Sequence, residues 1–336
     1  MMGGEFLTKG FYTSIRGASH DASGLPCQDS SGCLQTDKFT LVVVSDGHGS
    51  APHFRSDKGS ELAVEVTKEV VWKSIEHADF MGRMKEDPEG SMRHLCNAVI
   101  ALWRSMVEDH IQKNPLTPSE EEIVREKGLE GSDPVKRYGA TLIACVLSDD
   151  IVFGFQIGDG DLVIIHDPDG PIRPIPEDEG CFMNRTTSIC GSDASMNFRS
   201  FTTLPRGGSF KYSEKDPNVF RYVPIQPTSV RGAIVCTDGL TTSFNSEESF
   251  LRYCVPACES ILSTEGADNL LNNLVLRSKS NAQDDVSVSI AMRSDLRSYA
   301  PPSFKAPKKS RVSARMARRS NYNKKKIKQK GKKGRR

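Results

Sequence analysis

The feature that most constrains this chain is a recurring one: apolar runs of strand length that end in aspartate beside glycine. The clearest case is "LVVVSDGHGS", residues 41–50, where the apolar residues lead directly into Asp46, Gly47 and His48. Asp-Gly alone is a common hairpin dipeptide. Alternatively, the strand carries a ligand to its tip, where glycine lets a metal or a phosphate approach the backbone. This stretch alone leaves both interpretations open.

The same combination returns at other strand boundaries that are far apart in the sequence. The further aspartates are Asp29 in "CQDSS", Asp159 in "QIGDGD", Asp238 in "CTDGL", and Asp284 with Asp285 in "DDVSV". Hard cations such as Mg²⁺ and Mn²⁺ bind oxygen ligands, mostly carboxylates and waters. Clustered carboxylates repel one another unless a cation neutralises them. A turn explains each aspartate alone, but their joint occurrence predicts a metal site.

Hydrophobic periodicity predicts a mixed fold without a βαβ rhythm. Continuous or alternating apolar residues predict strands at 39–45, 139–147, 151–157, 162–165, 233–237 and 286–292. Amphipathic spacing predicts helices at 57–76, 91–111 and near 268–277. Such a pattern favours an α+β layered domain. The polar residues 112–136 are predicted to form an exposed insertion, and residues 166–231 a long irregular stretch.

Charge divides the chain into an acidic body and a basic tail. Residues 305–336 hold 16 Lys and Arg and no Asp or Glu, although the whole chain has a formal net charge of only +2. With so little apolar content, residues 299–336 are predicted to be disordered. The nine cysteines are scattered, which predicts reduced thiols. No apolar run approaches the ~20 residues needed to cross a bilayer, and no signal peptide is apparent, so a cytoplasmic location is expected.

The order of the aspartate motifs resembles the metal-dependent protein phosphatases of type 2C, across about residues 10–293. The segment "GASHDASGLPCQDS" is similar to a bacterial branch of that family. The resemblance implies an α+β fold, a four-layer α/β/β/α sandwich of two antiparallel sheets flanked by helices. It also implies a catalytic domain over residues 1–298, with the irregular region 166–231 containing a flap that contacts substrate near residues 184–198.

The resemblance further implies a binuclear Mn²⁺ or Mg²⁺ centre at one end of the sandwich. Its implied ligands are Asp29, Asp46, the Gly47 carbonyl, Asp238 and Asp284. Asp46 would bridge the two ions, and Asp29 would act directly or through water. Asp159 matches an acidic residue associated with a third, weaker ion.

The implied reaction is hydrolysis of a phosphoserine or phosphothreonine monoester. Two cations lower the pKa of a shared water, and the resulting hydroxide attacks phosphorus in line. Asp46 and His48 are the implied catalytic residues, because His48 is placed to protonate the leaving alkoxide. The alternative for His48 is an ordinary turn histidine.

The chain departs from the family pattern where many members carry an arginine that binds the substrate phosphate. Gly24 stands at that position, and Asp161 stands where arginine is common after the Gly-Asp motif. Arg16 and His20 are the candidate replacements. This departure affects substrate binding more than metal binding.

Three functions remain to be weighed. The first is an active phosphatase that acts on phosphorylated proteins and opposes a cognate Ser/Thr kinase. The second is a phosphatase-fold binding or sensing module with weak catalysis; retention of all the expected aspartates favours the first. The third is a polyanion-binding protein that uses residues 305–336 on nucleic acid or anionic lipid, since a basic segment releases counterions from phosphate backbones.

Overall fold

The sequence forms alternating strands and helices in the order that the hydrophobic pattern predicts, with additional short elements. A computed structural model describes residues 8–76, 79–176, 178, 180–181, 186–206, 216 and 218–294. The basic segment 299–336, for which the sequence predicts disorder, lies outside the described residues.

The strands are β1 (Thr8–Ile15), β2 (Asp29–Gln35), β3 (Phe39–Asp46), β4 (Leu142–Ser148), β5 (Phe153–Ile157), β6 (Asp161–His166), β7 (Gly170–Ile172), β8 (Arg199–Thr203), β9 (Phe220–Val223), β10 (Val230–Cys236) and β11 (Val286–Arg293). The α-helices are α1 (Ala18–Ser23), α2 (Ser56–Glu76), α3 (Phe80–Glu86), α4 (Pro88–Lys113), α5 (Pro118–Glu126), α6 (Ala194–Asn197), α7 (Asp238–Thr242), α8 (Glu247–Ser260) and α9 (Thr264–Leu276). Short 3-10 helices cover Ala51–His53, Pro134–Tyr138 and Pro227–Ser229, and a π-helical turn covers Arg277–Ala282.

Within the described residues the strands form two sheets. One has the order β1-β11-β10-β6-β7 and the other the order β2-β3-β4-β5-β8-β9. Neighbouring strands pair antiparallel, except that β8 and β9 at the edge of the second sheet are parallel.

Strand β3 shows how the layers are built. Leu41 and Val43 face an outer core shared with α2 and α4, whereas Val42 and Val44 face the layer between the sheets. Both faces of the strand are therefore buried, which explains its continuous apolar run. Helices α8 and α9 cover the outer face of the other sheet. The predicted four-layer α/β/β/α sandwich is confirmed.

Strand β11 alternates as its sequence predicts, although neither of its faces is in contact with solvent. Val288 and Ile290 pack beneath α8 and α9. The opposite face carries small residues, and the Ser289 hydroxyl donates to the Gly32 carbonyl of the other sheet at 2.8 Å. Small side chains there let the sheets approach while their hydroxyls stay hydrogen-bonded.

The predicted irregular region contains more regular structure than its composition indicates. Strand β8 pairs with the central strand β5, and β9 extends the sheet beyond it. The prediction of an irregular stretch was therefore wrong for these segments. Strands β1 and β2 were also missed, because "TKGFYTSI" and "DSSGCLQ" lack an apolar run and form the edges of their sheets.

The region 112–136 is attached to the body more firmly than the predicted exposed insertion. Helix α5 begins with a capping box formed by Thr117 and Glu120. The Glu120 carboxylate also receives the Arg55 guanidinium, with Nε to Oε1 at 2.6 Å and Nη2 to Oε2 at 2.8 Å. This two-point ion pair fixes α5 to the start of α2.

All nine cysteines are free thiols, as predicted. In the described ranges, no helix combines the length and the apolar character that crossing a membrane requires.

Candidate metal centre

The aspartates that end separate strands meet at one end of the sandwich. Asp29 begins β2 and Asp46 ends β3, and they pair at the last position of the antiparallel register. Asp159 follows β5, Asp238 begins α7 directly after β10, and Asp284 precedes β11. Because these termini lie at the same edge of the two sheets, the carboxylates converge although they are far apart in sequence.

The tightest group within the described residues consists of Asp46, Asp159 and Asp238. Each offers a carboxylate oxygen, and these oxygens lie within 4.8 Å of one another. Asp29 and Asp284 line the same pocket, whose volume is about 550 Å³. The oxygen-only donor set fits a hard divalent cation.

The carboxylates of this group repel one another electrostatically. Burial raises the pKa of Asp46 well above its ordinary value, and the charges of Asp29 and Asp238 raise it further. Burial likewise raises the pKa of Asp29, although the Thr237 hydroxyl bonded to it acts in the opposite direction. In the described part of the chain, no donor hydrogen-bonds to the Asp46 carboxylate. A cation would supply the missing compensation.

Side-chain hydroxyls hold the ligand-bearing strand ends in place. Thr237 donates to Asp29 Oδ2 at 2.7 Å and accepts from the Ser287 amide at 2.9 Å, which joins the two sheets. The Asp46 amide donates to Thr141 Oγ1 at 3.0 Å, and the Thr141 amide donates back to the Asp46 carbonyl at 2.8 Å.

Two glycines beside the aspartates are required for close backbone packing. A Cβ at Gly47 would lie 2.5 Å from the Gln28 carbonyl oxygen and 2.6 Å from that of Ser56. A Cβ at Gly239 would overlap the carbonyl oxygen of Asp285. The Asp-Gly motifs therefore allow close backbone contact beside the acidic pocket in addition to turn geometry.

Asp285 has a role that its sequence position does not reveal. Its Oδ1 accepts from the Gly17 amide at 2.7 Å, and its Oδ2 accepts from the Gln28 amide at 2.6 Å. His20 Nδ1 lies 2.9 Å from Oδ2. This buried carboxylate connects the N-terminal segment to β11, and it lines the pocket together with its neighbour Asp284.

The two predicted phosphate-binding candidates make other contacts. His20 lines the pocket, but its Nδ1 is bonded to Asp285. The Arg16 guanidinium donates to the His20 carbonyl at 2.9 Å and approaches Asp21 at 3.4 Å. Gly24 ends α1 in the left-handed region at φ 73°, a conformation that favours glycine over arginine.

His48 lies in the pocket wall next to a second histidine. Its amide donates to the Gly139 carbonyl at 3.0 Å, and its ring meets that of His53 edge-on, with 4.9 Å between centroids. Burial and the neighbouring His53 lower the pKa of His48 to about 4, although Asp159 opposes them. His48 is therefore neutral at pH 7, and a neutral imidazole still offers one N–H donor.

The remaining part of the pocket was only partly predicted from the sequence, which implied a flap near residues 184–198. It is lined by His53, Lys136, Thr186, Ser188, Cys190 and Gly191. Residues 186–191 fall within the predicted flap, and Thr186 donates to Asp159 Oδ2 at 3.2 Å. None of these residues carries a sequence signal, because they reach the pocket through irregular segments.

Comparison with known proteins identifies relatives of the chain as a whole. A family model described as protein phosphatase 2C matches residues 16–275. A search of curated protein sequences returns no match. Among solved structures, a bacterial serine phosphatase is similar at 14% identity with a TM-score of 0.52, covering 87% of this chain and 100% of that chain.

Two further solved structures have lower TM-scores. PppA of Pseudomonas aeruginosa is 15% identical with a TM-score of 0.48, covering 86% of this chain and 99% of that chain. PstP/Ppp of Mycobacterium tuberculosis is 17% identical with a TM-score of 0.46, covering 85% and 99%. At these identities the structural likeness concerns the fold alone. Because the family model spans most of its length, the chain belongs to the protein phosphatase 2C family of serine/threonine protein phosphatases.

Proposed function

We propose that this protein is a catalytically active, metal-dependent phosphatase that hydrolyses phosphoserine and phosphothreonine monoesters in proteins. The observation that carries this proposal is the group of Asp46, Asp159 and Asp238, whose carboxylate oxygens lie within 4.8 Å of one another. A phosphatase-fold module without activity has no need for clustered carboxylates that repel one another. Their retention therefore favours catalysis over a binding or sensing role.

The proposed cofactors are two Mn²⁺ or Mg²⁺ ions. Asp46, the Gly47 carbonyl, Asp238 and Asp284 would hold them, with Asp29 acting directly or through water. Asp159 would hold a third, weaker ion, and its place beside Asp46 and Asp238 supports a position adjoining the first two. When bound, the ions supply charge for the phosphoryl oxygens and lower the pKa of a water.

The side chains of the protein then have separate tasks. The hydroxyls of Thr237 and Thr141 keep the aspartates oriented. His48 would donate its N–H to the leaving oxygen of the serine or threonine. His48→Ala is expected to slow hydrolysis of a phosphothreonine peptide by about 10²–10³-fold and that of an aryl phosphate far less, since the hydrogen bond from the neutral imidazole stabilises charge that develops on an alkoxide oxygen, whereas a phenolate delocalises that charge by itself. Equal losses on both substrates would refute this role.

The metal mechanism is tested with Asp46→Asn and Asp238→Asn, using Asp169→Asn as the matched control on an exposed turn. Mn²⁺ binding is measured by calorimetry. Turnover is measured separately on a phosphothreonine peptide. Each pocket variant should lose at least about a hundredfold in turnover and bind fewer or weaker ions, because a ligand is gone. The control should match the wild type. Full turnover in chelator, or in either pocket variant, would refute the proposal.

The domain division and the partners belong to the same proposal. The catalytic domain would extend over residues 1–298, and its partners would be phosphorylated proteins and the kinase that modifies them.

The basic residues 305–336 would contact polyanions such as nucleic acid or anionic lipid. Truncation after Phe304 should preserve aryl-phosphate hydrolysis but remove DNA binding that weakens steeply between about 50 and 200 mM salt. Equal DNA binding by both forms would contradict the assignment to the tail.

A further inference from the structure

The lining of the aspartate pocket includes a cation without an acidic partner. Among the described residues that line the pocket, Lys136 is the only lysine or arginine. It lies in the 3-10 helix Pro134–Tyr138, and its side chain is exposed. In the part of the chain that the structure describes, no carboxylate forms an ion pair with its ammonium group.

The backbone around Lys136 is firmly anchored. Val135 and Tyr138, on either side, are 3% and 0% exposed. The Tyr138 hydroxyl is hydrogen-bonded to Arg55 Nη1 at 2.9 Å, and His53 Nδ1 is hydrogen-bonded to the Lys136 carbonyl. The backbone is therefore positioned by buried neighbours, while the four-carbon stem and its ammonium are left available.

The charge of Lys136 acts on the pocket. Burial is the main cause of the lowered pKa of His53, and the Lys136 ammonium lowers that pKa further, against the opposing hydrogen bond to the Lys136 carbonyl. Burial raises the pKa of the Cys190 thiol, and Lys136 is among the groups that counteract this rise. His53 and Cys190 both line the pocket. The ammonium therefore lies close enough to act on groups inside it.

The other nearby basic residues already form contacts with other groups of the protein. His20 is bonded to Asp285, and the Arg16 guanidinium contacts the His20 carbonyl and Asp21. A cation that binds the substrate must therefore come from another segment.

We propose that Lys136 binds the phosphoryl group of the substrate within the pocket that the aspartates line. This inference rests on the proposed phosphatase function. A phosphate monoester is close to dianionic near pH 7 and would enter a pocket that is also lined by carboxylates. A lysine binds phosphate as a point charge and has no need for bidentate geometry. The ammonium of Lys136 therefore supplies a positive charge for the phosphoryl group.

The test uses Lys136→Gln and Lys136→Arg in the full chain with Mn²⁺. The control is Lys127→Gln, an equal change in net charge at the exposed end of α5. In Lys136→Gln, two constants should rise about tenfold: KM for a phosphothreonine peptide and the inhibition constant of inorganic phosphate. The kcat of this variant should stay within about twofold of wild type, because the lost interaction binds the ground state and the transition state equally. Lys136→Arg should stay within about threefold of wild type, since it keeps the charge. Mn²⁺ affinity and Tm should be unchanged in all variants.

The possible failures are distinguishable. An active Lys136→Gln variant with unchanged KM and phosphate inhibition would overturn the inference, as would an equal effect of Lys127→Gln. A loss confined to kcat would also overturn it. If the wild type shows no turnover with Mn²⁺, the proposed function fails instead. Calorimetry of inorganic phosphate binding to the Mn²⁺-loaded proteins then decides the role of Lys136 separately.

Discussion

Asp29 and Asp46 face each other at the last register position of the β2–β3 ladder, and both carboxylates belong to the same acidic pocket. Like charges opposite each other on neighbouring strands are destabilising. Burial adds to this penalty by raising the pKa of both groups. The pair is therefore a source of instability in the metal-free protein, which metal binding would convert into a source of stability.

The first prediction follows from this conflict. Asp46→Asn should raise the free energy of unfolding of the metal-free protein by about 1–3 kcal/mol, because a half-buried charge beside other carboxylates is replaced by a neutral group of the same shape. The same variant should lose most of the stabilisation that Mn²⁺ provides. Urea unfolding at pH 7.5, with chelator and with Mn²⁺, measures both. Asp169→Asn is the control, and a destabilised metal-free Asp46→Asn would contradict the prediction.

Adjacent aspartates should behave differently when replaced. Asp285 accepts two backbone amides and contacts His20, so Asp285→Asn places an amide group against at least one N–H donor. We expect a loss of about 2–4 kcal/mol of unfolding free energy. Asp284→Asn should cost much less stability in chelator but weaken Mn²⁺ binding. Urea unfolding and calorimetry separate these effects, and equal stability losses would refute the distinction.

The glycine after Asp238 should be irreplaceable for steric reasons. A Cβ in Gly239→Ala would overlap the Asp285 carbonyl oxygen, so the backbone must shift, at an expected loss of at least about 2 kcal/mol. The matched control is Gly82→Ala in α3, where no heavy atom lies within 4 Å of the added Cβ. That variant should gain up to about 1 kcal/mol from helix propensity. Thermal unfolding measures both, and a stable Gly239→Ala would show that the packing relaxes.

The ion pair that holds α5 predicts a pH dependence. The Arg55 hydrogen bond lowers the pKa of Glu120 from 4.5 to about 2. Because the folded-state value is depressed, this contribution is fully present above about pH 4.5 and is lost as the pH falls towards 2. Glu120→Gln should cost about 1–2 kcal/mol at pH 7, and the deficit should shrink as the pH falls to 3. Urea unfolding checks this against the exposed neighbour variant Glu121→Gln, whose stability should stay close to that of wild type at both values.

Much of the fold and of the acidic wall could be read from the sequence. The continuous apolar run of β3 and the alternation in β11 follow from local burial, which hydrophobic periodicity records directly. The positions of the aspartates could also be predicted from the local sequence. Each is covalently attached to the end of a strand, and strand ends at one edge of a sandwich must meet.

The contacts made by the other residues in and around the site depend on tertiary structure alone. The Asp285 carboxylate is hydrogen-bonded to the Gly17 amide across 268 positions of sequence, and Arg55 meets Glu120 across 65. Lys136 reaches the pocket from a short 3-10 helix whose sequence shows no periodicity. Such contacts depend on the path of the irregular segments in space, and neighbouring residues do not encode that path. The sequence by itself therefore determined which residues end the strands, whereas the fold decided which aspartate supports the structure and which cation faces the pocket.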